Sequence, residues 1–110
     1  MAKSVLLVSD DEAFRSKVAI LVNNRGFNYV AVENIEAARS ALERLHFDLV
    51  LIDTDSGHLM DLKGFANKLH ALGQKVLVAL FGPLNWEGLR APYILKAYFE
   101  AEFVGTWKYL

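Results

Sequence analysis

The stretch LVLIDTDSGH, residues 49–58, joins two features that oppose each other. It begins with four aliphatic residues, a pattern that favours a strand covered on both faces of a sheet. It then places Asp53 and Asp55 within three residues, although removing a charge from water is unfavourable. A second stretch, VLLVSDDE at residues 5–12, repeats the arrangement and ends on three acids. Two acidic strand ends in one chain indicate a shared function.

The composition is that of an ordinary globular protein. The chain has 110 residues, of which 54% are hydrophobic and 23% charged, so we expect a single domain over residues 1–110. Its net charge of −1 provides no broad basic field for nucleic acid or anionic lipid. There is no cysteine and no apolar run long enough to span a membrane, and the first twelve residues do not have the pattern that a signal peptide needs. We therefore expect a cytoplasmic protein without a nucleic-acid or membrane partner.

Strand patterns alternate with helical patterns along the chain. Five runs rich in aliphatic or aromatic residues predict strands, at residues 4–8, 28–32, 48–52, 76–80 and 103–107. Apolar residues at helical spacing predict a helix after each of the first three strands. Pro92, a residue best tolerated at a helix start, predicts a fourth helix over residues 92–101. Strands joined by helices pair in parallel through right-handed crossovers, so the sequence predicts an α/β fold with a doubly wound parallel sheet.

The acids after the first and third strands are expected to converge, because the carboxyl ends of parallel strands share the sheet edge where ligands bind. Converging carboxylates repel, and either protonation of one or a bound hard cation relieves the repulsion. Mg²⁺ takes carboxylate and carbonyl oxygens as ligands. An aspartate in that setting is a competent nucleophile that forms an acyl phosphate with a phosphoryl donor. Lys108, just after the predicted fifth strand, is placed to balance the phosphate charge.

Three stretches resemble the response-regulator receiver domain of two-component signalling, and together the resemblance covers almost the whole chain. VLLVSDDEAFR is similar to the family's opening strand and acidic turn, and DLVLIDTDSG to the strand that carries its phosphoacceptor. KAYFEAEFVGTWK is similar to the last helix–strand unit, which leads to a lysine. The resemblance implies a flavodoxin-like sheet of five strands in the order 2-1-3-4-5. It also implies a phosphorelay protein, not an enzyme, that receives its phosphoryl group from a histidine kinase or phosphotransfer protein.

The resemblance assigns a role to single residues. Asp53 matches the phosphoacceptor, and Lys108 matches the lysine that pairs with the phosphate. Asp10, Asp53 and the backbone carbonyl of Asp55 match the ligands of Mg²⁺, with Asp11 as an additional candidate. No cofactor other than Mg²⁺ is implied.

The chain also departs from the family. Ser9 replaces the first acid of the family's pair, and Phe81, or Leu80 in a shifted alignment, stands where the family has a Thr or Ser hydroxyl. The final helix is missing in this alignment, which would leave one sheet face bare. A homodimer through the fifth strand and the C-terminal face, including residues 107–110, is therefore a candidate assembly.

These departures leave alternative functions open. The second hypothesis is a pseudo-receiver, a protein-interaction module that keeps the fold and signals by binding. A third is a small Mg²⁺-dependent phosphatase of the acyl-aspartate type. Such an enzyme needs a general acid near its nucleophile, and only Asp55 suggests one.

Overall fold

A computed structural model describes residues 3–53, 59–80, 88–95 and 103 of the chain. Five parallel strands form one sheet in the order β2-β1-β3-β4-β5. The strands are β1 Ser4–Val8, β2 Asn28–Val32, β3 Leu49–Asp53, β4 Val76–Leu80 and β5 Tyr93–Leu95. The helices are α1 Glu12–Asn24, α2 Ile35–Arg44 and α3 Leu59–Ala71. The predicted α/β class, parallel pairing and strand order are confirmed.

Helices cover both faces of the sheet because successive strand residues point to opposite sides. On β1, Leu6 and Val8 pack in a cluster with residues of α2 and α3, whereas Val5 and Leu7 pack in a second cluster with residues of α1. Since all four side chains are fully buried, β1 is covered on both faces. A continuous aliphatic run suits such a strand.

The register brings the carboxyl ends of β1 and β3 side by side. Val8 at the end of β1 is the partner of Ile52 on β3. The strand continues for one residue more than the sequence predicted, since Asp53 is the partner of Ala79 on β4. Asp53 therefore lies within the sheet, and not in the loop that follows it.

The predictions for the C-terminal part were wrong in the position of the fifth strand. β5 begins at Tyr93, within the stretch predicted as a helix over residues 92–101, and Phe103 of the predicted strand 103–107 is α-helical. Pro92 was interpreted as a helix start, but it precedes an edge strand, a position where its missing N–H is also tolerated. Its carbonyl accepts a hydrogen bond of 2.9 Å from the amide of Val78 on β4.

The helical conformation of Phe103 also contradicts the prediction that the chain has no helix after its fifth strand. Phe103 is fully buried and belongs to the same cluster as Phe14 and Val18 of α1. It therefore covers part of the sheet face that was predicted to be bare. The homodimer through that face stays a prediction. Residues 104–110, which include Trp107, lie outside the described residues.

The side chain of Asn67 on α3 binds the described residues just before β5. The amide nitrogen of Asn67 donates to the carbonyl of Gly88 at 2.9 Å, and its oxygen accepts from the backbone N–H of Arg90 at 2.7 Å. Gly88 has a φ of +81°, a left-handed conformation that glycine adopts without strain. Asn67 thus anchors the chain just before it enters the sheet at its edge.

Candidate functional site

The centre of the candidate site is a contact between Ser9 and Asp53. Ser9 directly follows β1, Asp53 ends β3, and both residues are fully buried at 0% exposure. The Ser9 hydroxyl donates a hydrogen bond to Oδ2 of Asp53 at 2.6 Å. This distance is typical of a hydroxyl bonded to a carboxylate. Ser9, which replaces the first acid of the family's pair, therefore contacts the predicted phosphoacceptor directly.

Ser9 also connects three parts of the fold. Its backbone N–H donates to the carbonyl of Val32 at the end of β2 at 2.9 Å. Its Oγ accepts a hydrogen bond of 3.1 Å from the backbone N–H of Asp11. Among the described residues, no buried side-chain nitrogen or oxygen lacks a hydrogen-bond partner. The buried polar groups of the site are therefore satisfied by the protein itself.

Asp11 has a structural role at the start of α1. It is the N-cap residue, and its Oδ1 accepts hydrogen bonds from the backbone N–H groups of Ala13 at 3.1 Å and Phe14 at 3.3 Å. Aspartate is favoured at this position because it satisfies free N–H groups and complements the helix dipole. Asp11 thus has a structural role at the start of α1 that requires no metal ion.

Asp10 and Asp53 remain the described side chains that could hold a cation. Asp10 is exposed and lies between Ser9 and the start of α1, at the sheet edge where Asp53 is buried. Within the described part of the chain, no group of three or more acidic or imidazole side chains is placed to hold a metal. Mg²⁺ nevertheless needs only one or two carboxylates, because it keeps several waters. The residues fit Mg²⁺ in ligand type, although Asp53 is already bonded to Ser9.

Two further predicted site residues, Asp55 and Lys108, lie outside the described residues. Lys108 was chosen because it follows the predicted fifth strand, and the observed β5 ends instead at Leu95. The residue that follows β5 is Lys96, which sequence reasoning missed and which is also outside the described residues. The available signal was the short apolar run YIL between Pro92 and this lysine.

The end of β4 has no hydroxyl side chain. The strand ends at Leu80 and is followed by Phe81. These are the two positions at which the receiver family would have a Thr or Ser. The departure from the receiver pattern at β4 therefore holds in either alignment.

The chain is similar to solved structures of receiver proteins over its whole length. A response regulator from Thermotoga maritima is 21% identical with a TM-score of 0.81, and the match covers 99% of this chain and 97% of that one. A response regulator receiver protein from Pseudomonas putida is 18% identical with a TM-score of 0.77, at 100% and 98% coverage. The response regulator protein TrrA from Thermotoga maritima, in complex with Mg²⁺–BeF, is 19% identical with a TM-score of 0.71, at 98% and 99% coverage.

No protein-family model matches the chain, and no curated protein matches it in sequence. The described helices of the chain are all too short or too polar to cross a lipid bilayer. The sheet order and the three structural matches agree with each other. This chain has the fold of the response regulator receiver domains.

Proposed function

We propose that this chain is a receiver domain in phosphorelay signal transduction and that Asp53 accepts the phosphoryl group. The observation that carries the proposal is the position of Asp53. It is a carboxylate at the end of the central strand β3, and it lies beside the end of β1 at the ligand-binding edge of a receiver fold. A fold alone does not establish a function, so the proposal depends on this residue.

The reaction would be a phosphoryl transfer from phosphohistidine on a histidine kinase or phosphotransfer protein. One carboxylate oxygen of Asp53 attacks the phosphorus, so that an O–P bond forms while the P–N bond breaks. The electron pair of the broken bond returns to the imidazole nitrogen of the donor. Mg²⁺, when bound by Asp10, Asp53 and the backbone carbonyl of Asp55, would offset the charge of the phosphoryl oxygens. The chain acts in this reaction as an acceptor and not as an enzyme.

Lys96 is the lysine that we propose as the partner of the phosphoryl group. It follows Leu95 in the sequence. Because β5 is parallel to β3, the carboxyl ends of both strands lie at the same side of the sheet. Lys108 is twelve positions further along the sequence. If Lys96 has this role, Lys96→Met will slow phosphorylation of Asp53, whereas Lys108→Met will leave the rate unchanged. The reverse result would show that Lys108, and not Lys96, pairs with the phosphoryl group.

A cytoplasmic location belongs to the same proposal. Histidine kinases and phosphotransfer proteins are the expected donors, and a chain without cysteine is compatible with a reducing compartment.

The pseudo-receiver is the second candidate, and one observation favours it. Asp53 has 0% of its surface exposed and is bonded to Ser9. A donor cannot reach the carboxylate in this conformation, so phosphorylation requires the site to open. A chain that never opens would keep the receiver fold and signal only by binding a partner.

Incubation with Mg²⁺ and acetyl phosphate, followed by intact mass measurement, separates the two candidates. A receiver gains one phosphoryl group, and Asp53→Asn abolishes the gain. Asp48→Asn is the matched control. Asp48 immediately precedes β3, at the opposite end of the strand from Asp53, and it accepts a 2.8 Å hydrogen bond from the N–H of Ser4. A wild-type chain that gains no phosphoryl group would contradict the receiver proposal and favour the pseudo-receiver.

A further inference from the structure

The Ser9 hydroxyl is committed to Asp53 in this structure. A serine hydroxyl has one proton to donate, and Ser9 donates it to Oδ2 of Asp53, with 2.6 Å between the two oxygens. The oxygen meanwhile accepts from the backbone N–H of Asp11 at 3.1 Å. Because Ser9 and Asp53 both have 0% exposure, water does not compete for this bond.

A serine at this position changes how the negative charge of the site is balanced. An acid there would repel Asp53, and the repulsion would favour a cation between them. The serine instead supplies a neutral donor, so Asp53 has a partner without any cation. The bond uses one lone pair of Oδ2 of Asp53. A ligand that takes Oδ2 at this position must first displace the hydroxyl, so its apparent affinity is multiplied by the fraction of molecules in which the bond is open.

We propose that Ser9 is a positioning residue that keeps Asp53 hydrogen-bonded and buried in the resting protein, which is the closed form of the site. Its hydroxyl takes the place of a cation. The hydrogen bond sets the threshold for both cation binding and phosphorylation at Asp53. This inference rests on the proposed function for its phosphorylation part only, since the effect on cation binding can be measured in a protein that is never phosphorylated.

The test compares Mg²⁺ affinity among four chains by calorimetry, with amide chemical shifts as a second measurement. Ser9→Ala removes the donor, and we expect it to bind Mg²⁺ about tenfold more tightly than wild type, because a hydrogen bond to a carboxylate no longer competes. Ser9→Thr retains a hydroxyl and is expected to match wild type. Ser4→Ala is the control, because Ser4 is at the opposite end of the same strand and should leave the affinity unchanged.

Thermal unfolding shows whether each variant is folded at the titration temperature. Should Ser9→Ala be unfolded, Ser9→Cys is titrated instead. A thiol is only a weak hydrogen-bond donor and adds no carboxylate, so we again expect tighter Mg²⁺ binding. A purely structural role for Ser9 would lower the melting temperature without raising the affinity. Affinity equal to or weaker than wild type in the folded variant would overturn the proposal.

The acetyl phosphate reaction, run on the same chains, separates this inference from the proposed function. If Ser9 holds Asp53 closed and Asp53 is a phosphoacceptor, Ser9→Ala is phosphorylated about tenfold faster than wild type. If Mg²⁺ affinity rises but no variant gains a phosphoryl group, the role of Ser9 is upheld and the proposed phosphorylation is wrong. If wild type and Ser9→Ala are phosphorylated at equal rates with equal Mg²⁺ affinity, phosphorylation is upheld and the role of Ser9 is wrong.

Discussion

Replacing Phe103 by alanine tests the corrected C-terminal part of the fold. Among the described residues, Phe103 is the largest fully buried side chain, at 0% exposure, and it packs with Phe14 and Val18 of α1 and with Ile94 of β5. Removing a buried phenylalanine ring destabilises a protein by about 3–5 kcal/mol, from lost apolar burial and the cavity left behind. At about 4 °C per kcal/mol for a domain of this size, the melting temperature should fall by roughly 12–20 °C.

Urea unfolding followed by circular dichroism measures this loss, and a constant slope with denaturant would show that the unfolding transition is otherwise unchanged. Ile20→Ala is the matched control, because Ile20 lies on α1 but is 62% exposed. Its effect should stay within about 0.5 kcal/mol. Should Phe103→Ala be unfolded, Phe103→Leu provides a milder change. A loss below about 1 kcal/mol for Phe103→Ala would refute the packing of Phe103 against α1, and the bare face and its homodimer would need to be reconsidered.

Three other predictions concern single side chains. Asn67→Ala removes two hydrogen bonds to the segment before β5 and should destabilise the protein by about 1–2 kcal/mol, with faster amide hydrogen exchange at Arg90. Asp11→Ala removes the N-cap of α1 and should cost about 1 kcal/mol in thermal unfolding. It should leave Mg²⁺ affinity unchanged, whereas Asp10→Asn should abolish most of it; equal effects would contradict the assignment. Burial raises the pKa of Tyr29 above its usual 10.0, so the unfolded chain loses this proton at lower pH than the folded chain. The free energy of unfolding should therefore fall as the pH rises above 10.0, and a Tyr29→Phe variant with an equally steep fall would contradict this.

The first four strands could be predicted from the sequence because each is a run of apolar residues with clear limits. The predicted ranges for β1, β2 and β4 agree with the structure, and β3 is displaced by a single residue. Asn34 caps α2, because its side chain accepts a hydrogen bond of 2.8 Å from the N–H of Ala37, and asparagine is among the residues favoured at this position. Local signals of this kind act within a few residues, so they can be recognised without a structure.

The fifth strand could not be predicted in the same way. β5 has only three residues, which is too short for a periodic pattern, and its ladder with β4 determines its position. The aromatic run at residues 103–107 gave a stronger strand pattern than YIL. The burial of Phe103 against α1 is a tertiary contact, and such contacts override local propensity.

The candidate site was predicted in part. The sequence indicated that Asp53 and the residues after β1 would meet, and the pairing of Val8 with Ile52 brings them together. It also identified Ser9 as a departure, but a residue type does not reveal whether a hydroxyl faces solvent or a carboxylate. The single-residue extension of β3 decides this, because it places Asp53 inside the sheet, within 2.6 Å of Ser9.

The most direct test of the central claim is to identify the residue that carries the phosphoryl group. The chain is treated with Mg²⁺ and acetyl phosphate, reduced with borohydride and mapped by tandem mass spectrometry, since the reduction converts an aspartyl phosphate to homoserine. Omitting the phosphodonor provides the control. We predict homoserine at position 53 alone, in an amount that depends on the phosphodonor. Modification at another aspartate, or an unmodified Asp53 in a fully folded chain, would contradict the claim that Asp53 is the phosphoacceptor.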